Sequence, residues 1–235
     1  MSLEEILRRG FAELGLSLDA VALRRFRLYA DFLQEKNAVM NLTAIEGEAD
    51  TARLHFLDCA AMLREFPMAG KRVIDVGSGA GFPGLVLKIA CPEAELTLLD
   101  SLDKRVGFLR ECGEKLALGG LCCLHERAEQ ADPSLRESFD FAVSRAVARL
   151  AVLCELCLPF VRTGGRFIAM KGPDCAAELD EAHGAIRLLG GEYEQTLRYT
   201  IPGTEICHSL VIVRKTGETP AKYPRPWAQI KKKSL

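Results

Sequence analysis

The alternation of hydrophobic and polar residues changes near residue 71 of this chain. Before that point, apolar residues recur at helical spacing, first in "LEEILRRGFAEL" and then along a longer face formed by Val21, Phe26, Tyr29 and Leu33. "KNAVMNLTAI" interrupts the pattern, and "TARLHFLDCAAML" resumes it. We therefore predict an N-terminal helical cap over residues 1–70.

After Lys71, short apolar runs alternate with amphipathic stretches, which is typical of parallel strands joined by crossover helices. The runs are "RVIDV", "ELTLLD", "LCCLH", "FDFAVSR" and "GRFIAMKG". Two further runs, "EYEQTLRYTI" and "ICHSLVIVRK", are separated only by "PGTE", so they must pair antiparallel. The pattern predicts a Rossmann-like α/β domain over residues 71–215, with a mostly parallel seven-stranded sheet and a C-terminal antiparallel hairpin.

The composition favours a soluble cytoplasmic protein. Of 235 residues, 49% are hydrophobic, yet no apolar run approaches the roughly 20 residues that cross a bilayer. The beginning "MSLEEILRRG" lacks the basic-then-apolar order of a secretion signal. We expect no disulfide framework among the nine cysteines, and no metal site, because the pair Cys154 and Cys157 has no second pair at zinc spacing. We expect that pair to be helix core.

The charge is unevenly distributed, although the net charge is only −1. Residues 216–235 form a basic tail. Its cationic side chains are Lys222, Arg225, Lys231, Lys232 and Lys233, against the single acid Glu218. Such a tail is either a solvated chain end or an arm that binds a polyanion.

The stretch "VIDVGSGAGFPG" is the strongest chemical signal in the chain. The first strand is followed by Gly77, Gly79, Gly81 and Gly84, which favour a tight turn that a ligand can approach closely. Phe82 and Pro83 then begin a helix. Asp100 ends the next strand, where its carboxylate can accept hydrogen bonds from ribose hydroxyls. Together these residues predict a site for an adenosine-containing ligand.

Two kinds of adenosine cofactor fit this stretch. "GAGFPG" matches the dinucleotide fingerprint, so an NAD-dependent oxidoreductase is one alternative. Asp75, two residues before Gly77, instead favours S-adenosylmethionine, because a carboxylate beside a pyrophosphate would be repelled. The C-terminal hairpin and the lack of a second cofactor domain also favour the methyltransferase form of the sheet. A non-catalytic RNA-binding module with that fold is a third reading.

Two methyltransferase classes are disfavoured by the sequence. Enzymes that methylate exocyclic amines carry Asp or Asn followed by Pro-Pro-aromatic after the fourth strand, where this chain has "SRAVA". Methylation at cytosine C5 needs a cysteine nucleophile, and "KGPDC" places Cys175 outside the expected context.

An ordered set of motifs resembles the bacterial 16S rRNA guanine-N7 methyltransferase family, RsmG or GidB. The set is "MNLTAI", "HFLD", "VIDVGSGAGFPG", "LLDSLDKRVGFL", "RAEQ", "SRAVA", "MKG" and "KYPRP", and it covers nearly the whole chain. The resemblance implies a class I S-adenosylmethionine-dependent fold and methylation of guanine 527 in the 530 loop of 16S rRNA. It also implies 16S rRNA or the 30S subunit as partner. We expect a monomer that does not bind membranes.

The resemblance assigns roles to particular residues. In the cofactor site, Gly77 and Phe82 contact the ligand, Gly79 and Gly81 shape the turn, and Asp100 takes the ribose. The position of Asp75 two residues before Gly77, apart from any resemblance, predicts that its carboxylate holds the turn or faces the cationic amino-acid end of the cofactor. Ala128 and Glu129 flank the adenine.

Other residues are implied near the target base. Arg145 matches a family residue close to both cofactor and target, where we expect it to hold guanine O6 and leave N7 free. Lys171, after the fifth strand, would hold a phosphate or the base. Arg127, Lys222 and Arg225 are expected to contact RNA, although Arg127 could equally be a loop charge. We expect the four histidines to be structural or at the surface, and "RRFR" at residues 24–27 to be a solvated helix face.

The chain departs from the family pattern at two places. The family has a basic residue just before the final strand, where this chain reads "ICHSL" with Cys207 near that position. His208 or Arg214 could compensate. The family tail continues from "YPR" with Lys and Gly, whereas here it reads "PWAQIKKKSL".

Overall fold

A single mixed sheet of seven strands organises the chain, in the order β3-β2-β1-β4-β5-β7-β6. The computed structural model describes residues 1–145 and 148–235, so positions 146 and 147 of "SRAVA" lie outside the described residues. The strands are β1 Arg72–Val76, β2 Glu95–Asp100, β3 Leu121–His125, β4 Phe139–Arg145, β5 Val161–Lys171, β6 Gly191–Thr200 and β7 Cys207–Lys215. Strands β1 to β5 run parallel, and β7 is antiparallel to both β5 and β6.

All seven predicted strands are confirmed, and only β5 differs appreciably in its bounds. It begins at Val161 rather than at Gly165. Gly164 has a φ of +86°, so the strand is irregular there and its first residues do not follow the alternation of the rest. Val161 nevertheless pairs with Phe139 of β4, before a shift in register.

Helices cover the sheet on both faces. They are α1 Leu3–Glu13, α2 Ala20–Met40, α3 Glu48–Asp50, α4 Asp58–Ala60, α5 Met62–Glu65, α6 Gly84–Ala90, α7 Asp103–Lys115, α8 Leu150–Cys157, α9 Ala176–Leu188 and α10 Trp227–Lys232. A π-helical segment, Thr51–Leu57, joins α3 to α4. In the described part of the chain, no helix has the length and apolar character needed to cross a membrane.

The N-terminal helices are defined by local capping. Ser2 and Glu5 form a capping box at the start of α1, and the Asp19 carboxylate accepts a hydrogen bond from the Ala22 N–H at the start of α2. Phe26, Tyr29 and Leu33 are buried as their spacing predicts. Val21 is 50% exposed instead, because Ala22 and Leu23 form the buried face in the first turn.

The helical cap is joined to the sheet domain by polar contacts as well as by apolar packing. Arg25 Nε and Nη2 donate to the Leu116 and Ala117 carbonyl oxygens at 2.9 and 2.8 Å, at the end of α7. Tyr29 donates its hydroxyl proton to the Ala80 carbonyl oxygen at 2.5 Å. The expectation of a solvated face at residues 24–27 is therefore wrong for Arg25, because those two carbonyls end a helix and need donors.

Two apolar clusters lie on opposite faces of the sheet. One packs the cap, α6 and α7 against it, and the other packs α8, α9 and part of the C-terminal tail. The second cluster includes both cysteines of the "CELC" pair, which are fully buried on α8 as predicted. It also includes Tyr223 and Ile230, so the tail contributes to the core.

Candidate functional site

A cavity of about 460 Å³ opens at the carboxyl ends of β1, β2 and β4. In open α/β sheets this edge is where ligands bind, because the loops that leave parallel strands meet there. The cap contributes Thr43 and His55 to one wall, and the C-terminal tail contributes Trp227 to the lining. The cavity is therefore lined by residues from the N-terminal cap, the sheet domain and the C-terminal tail.

The glycine turn forms the floor of this cavity. Gly77, Gly79 and Gly81 have φ values of +76°, +58° and +99°, a conformation that other residues rarely adopt. A Cβ on Gly81 would lie 2.4 Å from Leu85 Cδ1 and 2.8 Å from the Tyr29 hydroxyl, whereas a Cβ on Gly79 would meet only the Gly77 carbonyl oxygen, at 3.9 Å. Gly81 thus allows close internal packing, and Gly79 leaves the floor open.

Asp75 lies beneath the turn and does not line the cavity. Its side chain is fully buried, and Oδ2 accepts a hydrogen bond of 2.9 Å from the Gly84 N–H at the start of α6. Burial raises the pKa of this carboxyl to about 7. Of the two roles expected for Asp75, these contacts support holding the turn.

The substitution Asp75→Asn is expected to stabilise the cofactor-free chain, increasingly so as pH rises. The pKa of this carboxyl is about 7 in the fold against 3.8 as its ordinary value, so the unfolded chain loses the proton first. The wild type therefore loses stability between about pH 4 and pH 7, whereas Asn has no proton to lose and keeps an acceptor for Gly84. Urea unfolding at pH 4.5 and pH 8 measures this difference.

The difference in free energy of unfolding between Asp75→Asn and the wild type should increase by about 2 to 3 kcal/mol from pH 4.5 to pH 8. If this difference in free energy does not change with pH, then the pKa of Asp75 is not raised in the folded chain.

Asp100 lines the cavity at the end of β2. Its Oδ2 accepts a hydrogen bond from the Gly79 N–H at 2.8 Å, and Oδ1 accepts one from the Leu102 N–H at 2.9 Å. Each carboxylate oxygen retains a second lone pair. Asp100 can therefore fix the turn and still accept hydrogen bonds from the two hydroxyls of a ribose.

Ala128 and Glu129 lie in a 3₁₀ turn after β3, and both line the cavity. The Glu129 side chain is only 5% exposed, and its Oε1 has no hydrogen-bond donor among the described residues. The nearest cation, Arg127 Nη1, is 3.9 Å away. A buried carboxylate oxygen without a donor is unfavourable, and the amino group of an adenine would supply one. This wall therefore fits the cofactor that the sequence predicts.

Arg145 reaches the cavity from the end of β4. Its Nη1 donates to the Leu54 carbonyl oxygen and to Asp58 Oδ2, both at 3.1 Å, and Nη2 donates to His55 Nδ1 at 2.9 Å. The guanidinium also lies 4.7 Å from the centre of the Phe82 ring. Its Nε–H and one further N–H on Nη2 have no acceptor within the described residues, so Arg145 is positioned and can still donate.

His55 is buried, as a structural histidine is expected to be, and it also lines the cavity, which the sequence does not predict. Its ring stacks on Phe82, with 4.1 Å between ring centres. Burial and the charge of Arg145 lower the pKa of His55 to about 3, so the ring is neutral. Because Nδ1 accepts from Arg145, the proton is on Nε2, which donates to Thr43 Oγ1 at 2.8 Å.

Asp58 connects Arg145 to the C-terminal hairpin. Its Oδ1 accepts hydrogen bonds from the Tyr199 hydroxyl at 2.7 Å and from His208 Nδ1 at 2.8 Å. The hydrogen bond with Asp58 raises the pKa of His208. The expectation that His208 or Arg214 compensates for Cys207 gains geometric support for His208 alone, because Arg214 pairs with Glu192 on the neighbouring strand.

Several predicted substrate residues lie outside the cavity. Lys171 donates to the Ala148 carbonyl oxygen and to Glu178 Oε2, at 2.8 and 2.7 Å, and is nearly buried. Arg225 makes a two-pronged ion pair with the buried Glu155. Both side chains thus connect parts of the fold, and their contact with substrate stays a prediction. Lys222 is exposed, and Arg127 lines the cavity with about half of its side chain exposed.

Comparison with known proteins identifies the family of the chain. A family model described as rRNA small subunit methyltransferase G matches residues 22–206. The ribosomal RNA small subunit methyltransferase G of Alkaliphilus oremlandii is 46% identical over 228 residues, covering 96% of this chain and 95% of that protein. The protein of the same name from Clostridium perfringens is 43% identical over 235 residues, covering 98% of each chain.

A solved structure supports the fold. The 1,6-didemethyltoxoflavin-N1-methyltransferase of Burkholderia thailandensis, whose structure contains S-adenosylhomocysteine, has a TM-score of 0.55 at 14% identity. The similarity covers 86% of this chain and 92% of that one. The predicted Rossmann-like α/β fold, with a mostly parallel seven-stranded sheet and a C-terminal antiparallel hairpin, is thus confirmed.

Proposed function

The chain belongs to the rRNA small subunit methyltransferase G family, and on this premise we propose that it methylates N7 of a guanine in 16S rRNA, with S-adenosylmethionine as methyl donor. The nucleotide that we propose as the methylation site is guanine 527 of the 530 loop. We place the enzyme in the cytoplasm as a monomer. The observation that carries the proposal is that one cavity is lined by the carboxylates Asp100 and Glu129 and by Arg145, whose guanidinium is held by Asp58 and His55.

The residues of the cavity suit the adenosine part of S-adenosylmethionine. The glycine turn allows close approach to the main chain, Asp100 accepts from the ribose, and Glu129 accepts from the adenine amino group. When bound, this cofactor supplies an electrophilic methyl group on a positively charged sulfur. The neutral state of His55 matters here, because an imidazolium in the same cavity would repel that charge.

The proposed reaction needs no general base from the protein. Guanine N7 has a lone pair and no proton, so it forms the new N–C bond as the S–C bond breaks. The products are S-adenosylhomocysteine and an N7-methylated base that now carries the positive charge. The contribution of this chain is therefore alignment of the base, which brings a large rate advantage when the reacting atoms are held in line.

Arg145 is suited to that alignment because Asp58 neutralises it. The free N–H groups of its guanidinium can donate to guanine O6, while N7 stays available for the methyl group. An unpaired arginine would oppose the positive charge that develops on the base. The ion pair with the buried Asp58, at 3.1 Å, supplies a compensating negative charge beside the guanidinium.

The basic tail is proposed to contact the RNA backbone, and the substitution of Lys231, Lys232 and Lys233 by Ala tests this. These lysines are exposed, whereas removal of residues 220–235 would also remove the buried Tyr223 and Ile230. We expect weaker 16S rRNA binding and a salt dependence reduced by about two in log–log slope, because single-stranded contacts contribute roughly 0.7 each. Filter binding over a range of salt concentrations measures both.

Unchanged affinity for S-adenosylhomocysteine in the triple variant is the internal control for that experiment. An unchanged salt slope would assign the lysines to a solvated chain end.

Two assays test the proposed function against its alternatives. Calorimetry should show binding of S-adenosylmethionine and not of NAD, and the reverse result would favour an oxidoreductase. Incubation with 30S subunits or naked 16S rRNA lacking the modification should transfer a labelled methyl group to a guanine. RNA binding without any transfer would leave only the non-catalytic module.

A further inference from the structure

The lining of the cavity includes a residue that the proposed chemistry does not use. Trp227, at the first position of α10, lines the cavity together with Leu156, Ala128 and Glu129. It is 38% exposed, so part of its ring is free to contact a ligand. The sequence pattern indicated only that this tail is basic. Its one aromatic residue after Tyr223 is instead part of the cavity wall.

The backbone around Trp227 is held firmly on both sides. Two residues earlier, Arg225 Nε and Nη2 donate to the two carboxylate oxygens of Glu155 at 2.8 and 2.6 Å, and Glu155 is fully buried. Glu155 directly precedes Leu156, another cavity residue. Three residues later, Ile230 is buried in the core cluster of that sheet face. The tail therefore presents Trp227 to the cavity from a fixed position.

The position of Trp227 indicates the part of a ligand that it contacts. Leu156 lies on α8, and Ala128 packs against the same apolar cluster as Ile230. Thr43 and His55 line the cavity from the cap, on the opposite face of the sheet. Trp227 thus belongs to the wall that holds Glu129, whose Oε1 has no donor among residues 1–145 and 148–235 and suits an adenine amino group.

We propose that Trp227 stacks on the adenine ring of the methyl donor, so that the C-terminal tail is part of the cofactor site. This inference rests on the proposed function. An indole ring offers a large flat surface to a purine, and aromatic stacking on a base contributes substantially to affinity. Arg225 then acts as a positioning residue for Trp227, through its ion pair with Glu155.

Intrinsic fluorescence tests the proposal directly, because Trp227 is the only tryptophan in the chain. We expect S-adenosylhomocysteine and adenosine to quench the emission of the full-length protein, and methionine to leave it unchanged at the same concentrations. Calorimetry of the same ligands, run in parallel, reports binding independently of the tryptophan.

Variants add a second measurement. Trp227→Ala should raise the Kd for S-adenosylhomocysteine about tenfold, whereas Trp227→Phe, which keeps an aromatic face, should stay within about threefold of wild type. Val39→Ala, at an exposed position of α2, is the matched control for loss of a surface apolar side chain. Thermal unfolding verifies that each variant is folded.

The measurements separate an incorrect role for Trp227 from an incorrect proposed function. Calorimetric binding with no fluorescence change and with wild-type affinity in Trp227→Ala would overturn the role of Trp227 and leave the proposed function standing. No calorimetric binding of S-adenosylhomocysteine would overturn the proposed function itself. Loss of 16S rRNA affinity in Trp227→Ala, with cofactor affinity unchanged, would assign the ring to an RNA base and contradict the inference.

Discussion

Arg145→Ala is expected to lower the rate of methyl transfer to 16S rRNA at least about 100-fold, the loss typical of removing one positioned donor from a transition state. The affinity for 16S rRNA should change by less than about threefold, because most of it comes from contacts with phosphates. We expect the loss of rate because Arg145 lines the cavity and its guanidinium is held in place by Asp58 and His55. Single-turnover transfer and filter binding measure the two quantities separately.

A nearby arginine provides the control for this prediction. Arg149 is exposed and pairs with Glu181, outside the cavity, so Arg149→Ala should retain nearly full transfer. Arg145→Lys should remain severely impaired, since an ammonium cannot reproduce the planar set of N–H donors. Equal losses in transfer and RNA affinity for Arg145→Ala would show that Arg145 binds RNA rather than aligning the base.

Asp100→Ala is expected to raise the Kd for S-adenosylhomocysteine at least about 100-fold. The substitution removes the acceptors that we propose for two ribose hydroxyls, and hydrogen bonds to a charged group are each worth about 1.5 to 3 kcal/mol. It also leaves the Gly79 and Leu102 N–H groups without their acceptor, so the turn itself loses support. Calorimetry with the purified chain measures the change.

The control for Asp100 is the neighbouring carboxylate Asp103, whose side chain is 79% exposed at the start of α7. Asp103→Ala should leave cofactor affinity within about threefold of wild type. If Asp100→Ala binds the cofactor normally, then the ribose is held elsewhere, and the orientation of the ligand along the cavity proposed above is incorrect.

The sheet could be predicted from the sequence because its central strands are buried on both faces. In β1, Val73, Ile74 and Val76 are almost inaccessible, so that strand reads as a continuous apolar run. The short "PGTE" connection alone determines that β6 and β7 are antiparallel. Both features are local in sequence. The packing of the cap on the glycine turn is not local in sequence, because the contacting residues Tyr29 and Ala80 are far apart in the chain.

The contact between Asp100 and the glycine turn could be predicted for the same reason, whereas the network around Arg145 could not. Asp100 and the glycines belong to one strand–turn–helix unit and the following strand, so their spacing places them together. His55, Asp58 and His208 come from two distant segments and meet only after folding. The one local signal was "HFLD", in which a histidine and an acid three residues apart lie on one helical face.

Charge alone does not reveal which cationic side chains are paired within the fold. Lys171 and Arg225 are cationic residues in recognisable motifs, yet each forms an ion pair with a glutamate, Glu178 and Glu155, that sequence spacing does not reveal. Paired cations of low exposure contribute to the fold, and breaking such a pair is costly. The exposed Lys231, Lys232 and Lys233, which no such pair holds within the described residues, remain the better candidates for contact with RNA.

Methylation of 16S rRNA by this protein can be measured by mass spectrometry of rRNA fragments from a strain that lacks the gene. One guanine methyl group should be absent from the 530 loop of that strain. A plasmid carrying the wild-type gene should restore it, and a plasmid carrying Arg145→Ala should not. An unchanged methylation pattern in the deletion strain, or full restoration by Arg145→Ala, would contradict the account.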